Sequence, residues 1–102
     1  MIRVTAAYPN VAGKRFDHVY YAEQHVALCR RMMGALLVRV EVEKGLSSFA
    51  PGSRPPFVAF GHLYFRTMED VHQALAAMAG ENDIPNFTDI EPQFQIGEIV
   101  IS

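Results

Sequence analysis

Four stretches of the chain show the apolar pattern expected of β-strands. Apolar and polar positions alternate in three of them, so each predicts a strand with one buried face. The third stretch is apolar on both sides except at His62. The four predicted strands span residues 1–8, 36–43, 57–66 and 94–101.

Two other stretches repeat their apolar residues with the period of an α-helix. The first helix is predicted to begin after Asp17, a favourable N-cap, and to end at Met33 before Gly34. His18 and His25 fall within its broad apolar face, which is unusual for imidazole side chains. The apolar residues predicted on that face are Val19, Tyr21, Ala22, Val26, Leu28, Cys29, Met32 and Met33.

The second helix is predicted to begin after Thr67 and to end at Gly80. Asp70, at the third helical position, complements the positive end of the helix dipole. The side chains that this helix is expected to bury are Val71, Leu75 and Met78.

The predicted order of elements is β-α-β-β-α-β, the ferredoxin-like or split βαβ arrangement of the α+β class. It places four antiparallel strands in one sheet with both helices on one face, and residues 1–102 form a single domain of this kind. The other face has no helix to cover it, and the apolar third strand predicts that a partner buries it. Two copies related by a two-fold axis are the simplest arrangement, so we expect a homodimer.

The composition is that of a globular chain and argues against several classes of partner. The formal net charge is -2, and no run of Lys and Arg is present to bind phosphates. No apolar run is long enough to cross a membrane. Residues 1–10 lack the pattern of a signal peptide, and the single Cys29 cannot form an internal disulfide. We therefore expect a cytoplasmic protein with neither a nucleic-acid partner nor a membrane partner.

His25 is the strongest candidate for chemistry. As a purely structural residue it would donate to a backbone carbonyl within the core. As a functional residue it would act as a general acid or base in a pocket between the helix and the sheet. Tyr20 and Tyr21 favour a pocket, because tyrosines supply both an apolar wall and a hydroxyl. The residues alone leave both alternatives open.

His62 and Tyr64 share one face of the third strand. They are candidates for the pocket, but aromatic residues are also enriched at interfaces, and the dimer interface is the alternative. Ala59 and Gly61 lie on the other face, where their small size leaves space for a ligand beneath the helices.

No motif indicates a metal ion or a cofactor. The four histidines include no pair at the i,i+4 spacing of a helical zinc motif, and one cysteine makes a structural zinc site improbable. No glycine-rich phosphate loop or dinucleotide fingerprint is present. We therefore expect no metal and no cofactor.

In combination, several motifs along the chain resemble those of the EthD family, which is named for ethyl tert-butyl ether degradation. The resemblance covers essentially the whole chain. The motifs that carry it are Tyr8-Pro9, Phe16-Asp17, Tyr20-Tyr21, His25, Leu63-Tyr64-Phe65 and Asp83-Ile84-Pro85-Asn86-Phe87-Thr88-Asp89.

The resemblance implies the dimeric α+β barrel, in which the sheets of two ferredoxin-like units face each other. The superfamily includes cofactor-free monooxygenases, isomerases, polyketide cyclases and haem-binding proteins, and family members accompany a monooxygenase system. In several of these proteins a histidine transfers a proton in a cleft between the helices and the sheet. By this resemblance His25 is the working histidine, with Phe16, Tyr20, Tyr21 and Phe87 around it.

These observations lead to two main hypotheses of function. The first is a catabolic enzyme, resembling an oxidoreductase, isomerase or cyclase, that uses His25 to move a proton on a small hydrophobic cyclic or aromatic compound. The second is a non-catalytic accessory protein that binds a hydrophobic intermediate of a monooxygenase system. A haem-binding role is the weakest alternative. The sequence leaves the substrate open, and also whether residues 45–56 close over a pocket.

Overall fold

The computed structural model of the protein describes all 102 residues. It contains four strands, two main helices and two short 3₁₀ segments. The strands are β1 (Ile2–Pro9), β2 (Arg39–Lys44), β3 (Phe57–Phe65) and β4 (Gln93–Glu98). Helix α1 consists of an α-helical turn (His18–Tyr20), a π-helical segment (Tyr21–His25) and a longer α-helical segment (Val26–Met33). Helix α2 is Met68–Ala77, and the 3₁₀ segments are Gly34–Leu36 and Ile84–Asn86.

The four strands form one antiparallel sheet in the order β2-β3-β1-β4. This topology confirms the predicted α+β, ferredoxin-like fold. In the register of the sheet, Ala6 of β1 lies opposite Gly61 of β3 and Phe94 of β4. The helices pack on the face that carries these residues, and the core divides into two clusters. One surrounds Phe65 and the other surrounds Tyr8.

Both helices begin where the capping residues predict. The carboxylate of Asp17 accepts a hydrogen bond of 3.0 Å from the backbone N–H of Tyr20. The hydroxyl of Thr67 accepts one of 3.1 Å from the backbone N–H of Asp70. Each contact satisfies one of the N–H groups that a helix leaves free in its first turn.

The buried side of α1 differs from the predicted one because of the π-helical segment. The backbone N–H of Val26 reaches the carbonyl of Tyr21, an i→i+5 hydrogen bond that adds one residue to the turn. As a result Tyr21, Cys29 and Met33 are buried, whereas Val19 is 67% exposed. The prediction that Val19 and Ala22 lie on the buried face is wrong.

Two other predictions need correction. Strand β2 begins at Arg39 rather than at residue 36, because the chain continues from α1 into a 3₁₀ turn. Helix α2 buries Val71 and Ala74, whereas Leu75 is 42% exposed, so its predicted burial is wrong. None of the helices combines the length and the apolar character needed to span a membrane.

The uncovered face of the sheet is more polar than β3 alone indicates. Phe60, His62 and Tyr64 lie on this face, but the neighbouring strands add charged and polar side chains. The Tyr64 hydroxyl donates to Glu41 at 2.6 Å, and His62 Nδ1 lies 3.1 Å from the Thr5 hydroxyl. The other polar residues of this face include Arg3, Arg39, Glu43, Gln93 and Gln95.

Candidate functional site

Asp83 lies at the centre of a hydrogen-bond network between α1 and the segment that precedes β4. Asp83 is only 8% exposed to solvent. Its Oδ1 accepts hydrogen bonds from the Tyr20 hydroxyl at 2.7 Å and from the Asn86 side-chain amide at 3.0 Å. Its Oδ2 accepts one from Nδ1 of His25 at 2.8 Å. Three donors from two elements therefore fix one buried carboxylate.

Local structure brings these groups together. Tyr20 directly precedes the π-helical segment of α1 and His25 ends it, whereas Asp83 directly precedes one 3₁₀ turn and Asn86 ends it. The backbone N–H of Asn86 donates to the Asp83 carbonyl at 2.9 Å, which closes that turn. The turn is held against the start of α1, because the backbone N–H of Asp17 donates to the Phe87 carbonyl at 2.7 Å.

The hydrogen bond to Asp83 sets the tautomer of His25. An ionised carboxylate only accepts hydrogen bonds, so Nδ1 of His25 carries the proton. In the neutral ring, Nε2 then has a free lone pair, and no group of the chain forms a hydrogen bond with it. His25 can therefore accept a proton at Nε2 while Asp83 stabilises the resulting positive charge.

The network also determines the charge of Asp83. Burial raises the pKa of this carboxyl, but the hydrogen bonds from Asn86, Tyr20 and His25 outweigh it, so the pKa is lowered overall. Asp83 is therefore ionised near neutral pH. The hydrogen bond to this carboxylate raises the pKa of Tyr20, whose hydroxyl remains a donor.

A cavity of about 320 Å³ lies between the helices and the sheet, and His25 and Asp83 line part of it. Most of the wall is apolar, and the other polar or titratable groups on it belong to Tyr8, Tyr21, Cys29 and Glu81. The apolar residues of the wall include Val4, Val26, Met33, Val40, Val42, Leu63, Met78 and Ile84. No Lys or Arg lines the cavity, whereas two carboxylates do, so the cavity disfavours anions, and its apolar wall favours hydrophobic ligands.

Cys29 also contributes to the wall of this cavity. The thiol is buried, and burial raises its pKa to about 11. It therefore stays protonated near neutral pH, which makes it a weak nucleophile.

The structure places four of the predicted pocket residues near His25. The Tyr21 ring stacks on the His25 ring with centroids 5.4 Å apart, and the Phe87 ring lies 4.9 Å from it. Phe16 packs behind Tyr21 and Phe87, and Tyr20 reaches Asp83. Only Tyr21 and His25 line the cavity itself, so the other three support the site from behind.

His62 and Tyr64 are not brought to this site. Both lie on the uncovered face of the sheet, on the side opposite the cavity, where the Phe60 ring stacks on the His62 ring. Because side chains alternate between the two faces of a strand, neither can reach a ligand beside His25. Their assignment to the same pocket as His25 is corrected accordingly.

Sequence reasoning missed Asp83 as a site residue. It lies 58 residues from His25 along the chain, in an irregular segment without periodicity. The available signal was its position in the Asp83–Asp89 motif, but that motif does not indicate which side chain the carboxylate meets. No three His, Cys, Asp or Glu side chains converge anywhere in the chain to hold a metal ion.

Comparison with known proteins identifies the family. The family model of the EthD domain matches residues 13–91. A crystal structure of an EthD-like protein from Ralstonia eutropha JMP134 is 37% identical to the chain, with a TM-score of 0.92. The match covers 98% of this chain and 92% of that one. The chain belongs to the EthD family.

More distant structures share the fold with this EthD-family chain. An ethyl tert-butyl ether degradation family protein from Bacillus halodurans C-125 is 19% identical, with a TM-score of 0.64 over 96% of this chain and 97% of that chain. A candidate monooxygenase from Shewanella loihica PV-4 is 11% identical, with a TM-score of 0.61 over 99% of this chain and 95% of that chain. None of the curated protein sequences matches the chain.

Proposed function

We propose that this EthD-family chain is a small cofactor-independent catabolic enzyme in which His25 moves a proton on a hydrophobic cyclic or aromatic compound. The observation that carries the proposal is the hydrogen bond of 2.8 Å from His25 Nδ1 to the buried Asp83 carboxylate. It leaves Nε2 unpaired, and His25 lines part of an apolar cavity. A fixed tautomer, an orienting carboxylate and a space for substrate are the parts that general base catalysis needs.

The surroundings of the pair favour proton transfer from carbon. When Nε2 takes a proton, the imidazolium that forms lies against the ionised Asp83, which stabilises the charge. Most of the wall around the pair is apolar, so this electrostatic contribution is larger than it would be in bulk water. Reactions that begin with such a step include isomerisations, cyclisations and oxidations of a deprotonated substrate.

The test is the exchange of carbon-bound hydrogen for deuterium in hydrophobic cyclic ketones, followed by NMR in heavy water. We expect the protein to accelerate exchange for at least one ketone of one or two rings. His25→Gln should lower the rate by roughly 10²-fold or more, because general acid–base catalysis contributes about 10²–10⁴-fold. His72→Gln is the matched control, since His72 is exposed on α2.

Two results would overturn the proposal. One is full activity in His25→Gln, and the other is the absence of exchange for every ketone that binds. Binding without exchange would instead support a non-catalytic protein that carries a hydrophobic intermediate.

A further inference from the structure

The phenol groups of Tyr8 and Tyr21 contribute polar atoms to the cavity in addition to those of the His25–Asp83 pair. Both residues line the cavity, and they are 1% and 4% exposed to solvent. Their rings meet edge to face with centroids 5.3 Å apart. The proposed function assigns no role to these hydroxyls.

The Tyr8 and Tyr21 hydroxyls have a proton to offer to a ligand. Each phenol has a single O–H donor, so even a hydrogen bond between the two phenols would use only one of their protons. No polar side-chain atom of the protein is both fully enclosed and without a hydrogen-bond partner. A hydroxyl that has no protein partner is therefore open to the cavity it lines. A ligand in the cavity can accept its proton.

Both phenols remain donors under all ordinary conditions. Burial raises the pKa of Tyr8 to about 12, and burial together with the nearby Tyr8 phenol raises the pKa of Tyr21 well above its usual value. Neither hydroxyl therefore ionises near neutral pH, and neither can act as a base.

Gly61 gives the Tyr21 hydroxyl its place over the sheet. A Cβ atom added at Gly61 would overlap the Tyr21 hydroxyl oxygen, and it would lie 3.1 Å from the ring carbon that carries it. The absence of a side chain at this position of β3 thus lets the phenol lie directly on the cavity floor. The same phenol ring stacks on His25, so the Tyr21 donor and the His25 base are neighbours on one wall.

We infer that the Tyr21 hydroxyl, supported by Tyr8, donates a hydrogen bond to the carbonyl oxygen of an uncharged, enolisable ketone. This inference rests on the proposed function and specifies its substrate class. Nε2 of His25 takes a proton from the carbon next to the carbonyl, and the C–H electron pair forms the C=C bond of an enolate. The carbonyl π electrons move onto oxygen, where the Tyr21 O–H stabilises the negative charge. Return of the proton from His25 to carbon, or to oxygen, completes the step without an oxidant.

The test compares two ligands of nearly the same shape, β-tetralone and tetralin, which differ by the carbonyl oxygen. We expect the wild-type protein to bind β-tetralone more tightly than tetralin. In Tyr21→Phe the ratio of these two affinities should fall by roughly 2–10-fold, the range of one neutral hydrogen bond. Binding of tetralin should not change. Tyr64→Phe is the matched control, because it removes a hydroxyl from the opposite face of the sheet.

Two further measurements test the same hydrogen bond by different readouts. In wild-type protein the infrared carbonyl band of bound β-tetralone should shift to lower frequency, and in Tyr21→Phe this shift should disappear. The rate of deuterium exchange should also fall by roughly 10²–10³-fold in Tyr21→Phe, as for loss of one donor to an oxyanion.

The outcomes separate this inference from the proposed function. If His25→Gln abolishes exchange while Tyr21→Phe keeps both the exchange rate and the ligand preference, the role of Tyr21 is overturned and the general base stands. If no exchange occurs but Tyr21→Phe abolishes the preference and the band shift, the enzyme proposal fails and Tyr21 remains the donor to the ligand oxygen. An unshifted carbonyl band in wild-type protein overturns the inference in either case.

Discussion

Asp83 joins α1 to the segment before β4 through three hydrogen bonds to one carboxylate. These bonds lower its pKa in the folded protein although burial opposes them. In the unfolded chain an aspartate titrates near pH ~3.9. Between the two pKa values the unfolded state binds more protons, so stability rises with pH there. The contribution of Asp83 is therefore complete above its unfolded pKa and is lost as the pH falls through its folded pKa.

The corresponding prediction concerns acid stability. Urea unfolding of the wild type and of Asp83→Asn should be compared from about pH 6 down to about pH 3. We expect the stability advantage of the wild type to be constant at the upper end and to shrink towards the acid end, because the asparagine side chain of the variant cannot titrate. A difference that stays the same throughout this range would mean that the carboxylate charge does not stabilise the fold.

Gly61 is expected to be the glycine of the sheet that tolerates a side chain least. Adding a methyl group there forces the Tyr21 ring to move, and overpacking of this kind costs about 1–3 kcal/mol. Gly61→Ala should therefore lower the melting temperature by several degrees and weaken ligand binding. Gly97→Ala is the matched control, because nothing lies within 4 Å of a Cβ added at Gly97. Equal melting temperatures for the two variants would show that the Tyr21 hydroxyl moves freely.

At the scale of secondary structure, the N-cap of α1 supports both the helix and the site. Asp17→Ala should cost about 0.5–2 kcal/mol of stability, the usual range for a lost cap. Because the cap bonds the backbone of Tyr20, we also expect weaker ligand binding in this variant. Thr67→Ala removes the cap of α2 at Asp70, and neither of these residues lines the cavity, so this variant should lower stability with less effect on the ligand. Equal ligand affinities in the two variants would contradict the link between cap and site.

The sequence predicted the order and type of these elements because their signals are local. Strand alternation and capping side chains depend on neighbours along the chain, and Asp17 and Thr67 cap their helices as expected. The π-helical segment is different, because a regular period of 3.6 residues cannot reveal an extra residue in one turn. For this reason the exposure of Val19 was not anticipated, although the burial of Cys29 and Met33 was.

The site was only partly predictable for the same reason. His25 was recognisable because an imidazole on an apolar helix face is unusual. Its partner Asp83 was not, because their contact depends on how a distant irregular segment folds back onto α1. The pocket assignment of His62 failed because side chains alternate along β3, and His62 lies on the face opposite Gly61, which lines the cavity beneath the helices.

At the scale of the whole molecule, the uncovered face of the sheet is the surface on which we expect two copies to meet. It carries the side chains of Phe60, His62 and Tyr64. It also carries charges of both signs, which are the positive Arg3 and Arg39 and the negative Glu41 and Glu43. A two-fold axis would place each patch against its own copy, so opposite charges can pair across it.

Sedimentation measurements test this expectation. The wild-type protein should sediment with twice the 11.4 kDa mass of one chain. Phe60→Asp should shift the equilibrium towards the monomer, because it adds a charge to the expected interface. Val19→Asp is the control, since Val19 lies exposed on α1, away from this face. A monomeric wild type, or equal dimerisation of both variants, would contradict the assignment of the interface.

The central claim is that His25 is held by Asp83 with its proton on Nδ1 and presents a free Nε2 to a ligand. Long-range proton–nitrogen correlation spectra of the imidazole report this tautomer directly. We expect a protonated Nδ1 and an unprotonated Nε2, and we expect a hydrophobic cyclic ketone to shift the Nε2 signal. Asp83→Asn should reduce the population of this tautomer. A proton on Nε2, or a ring signal that no ligand disturbs, would contradict the account and leave His25 as a residue of the core.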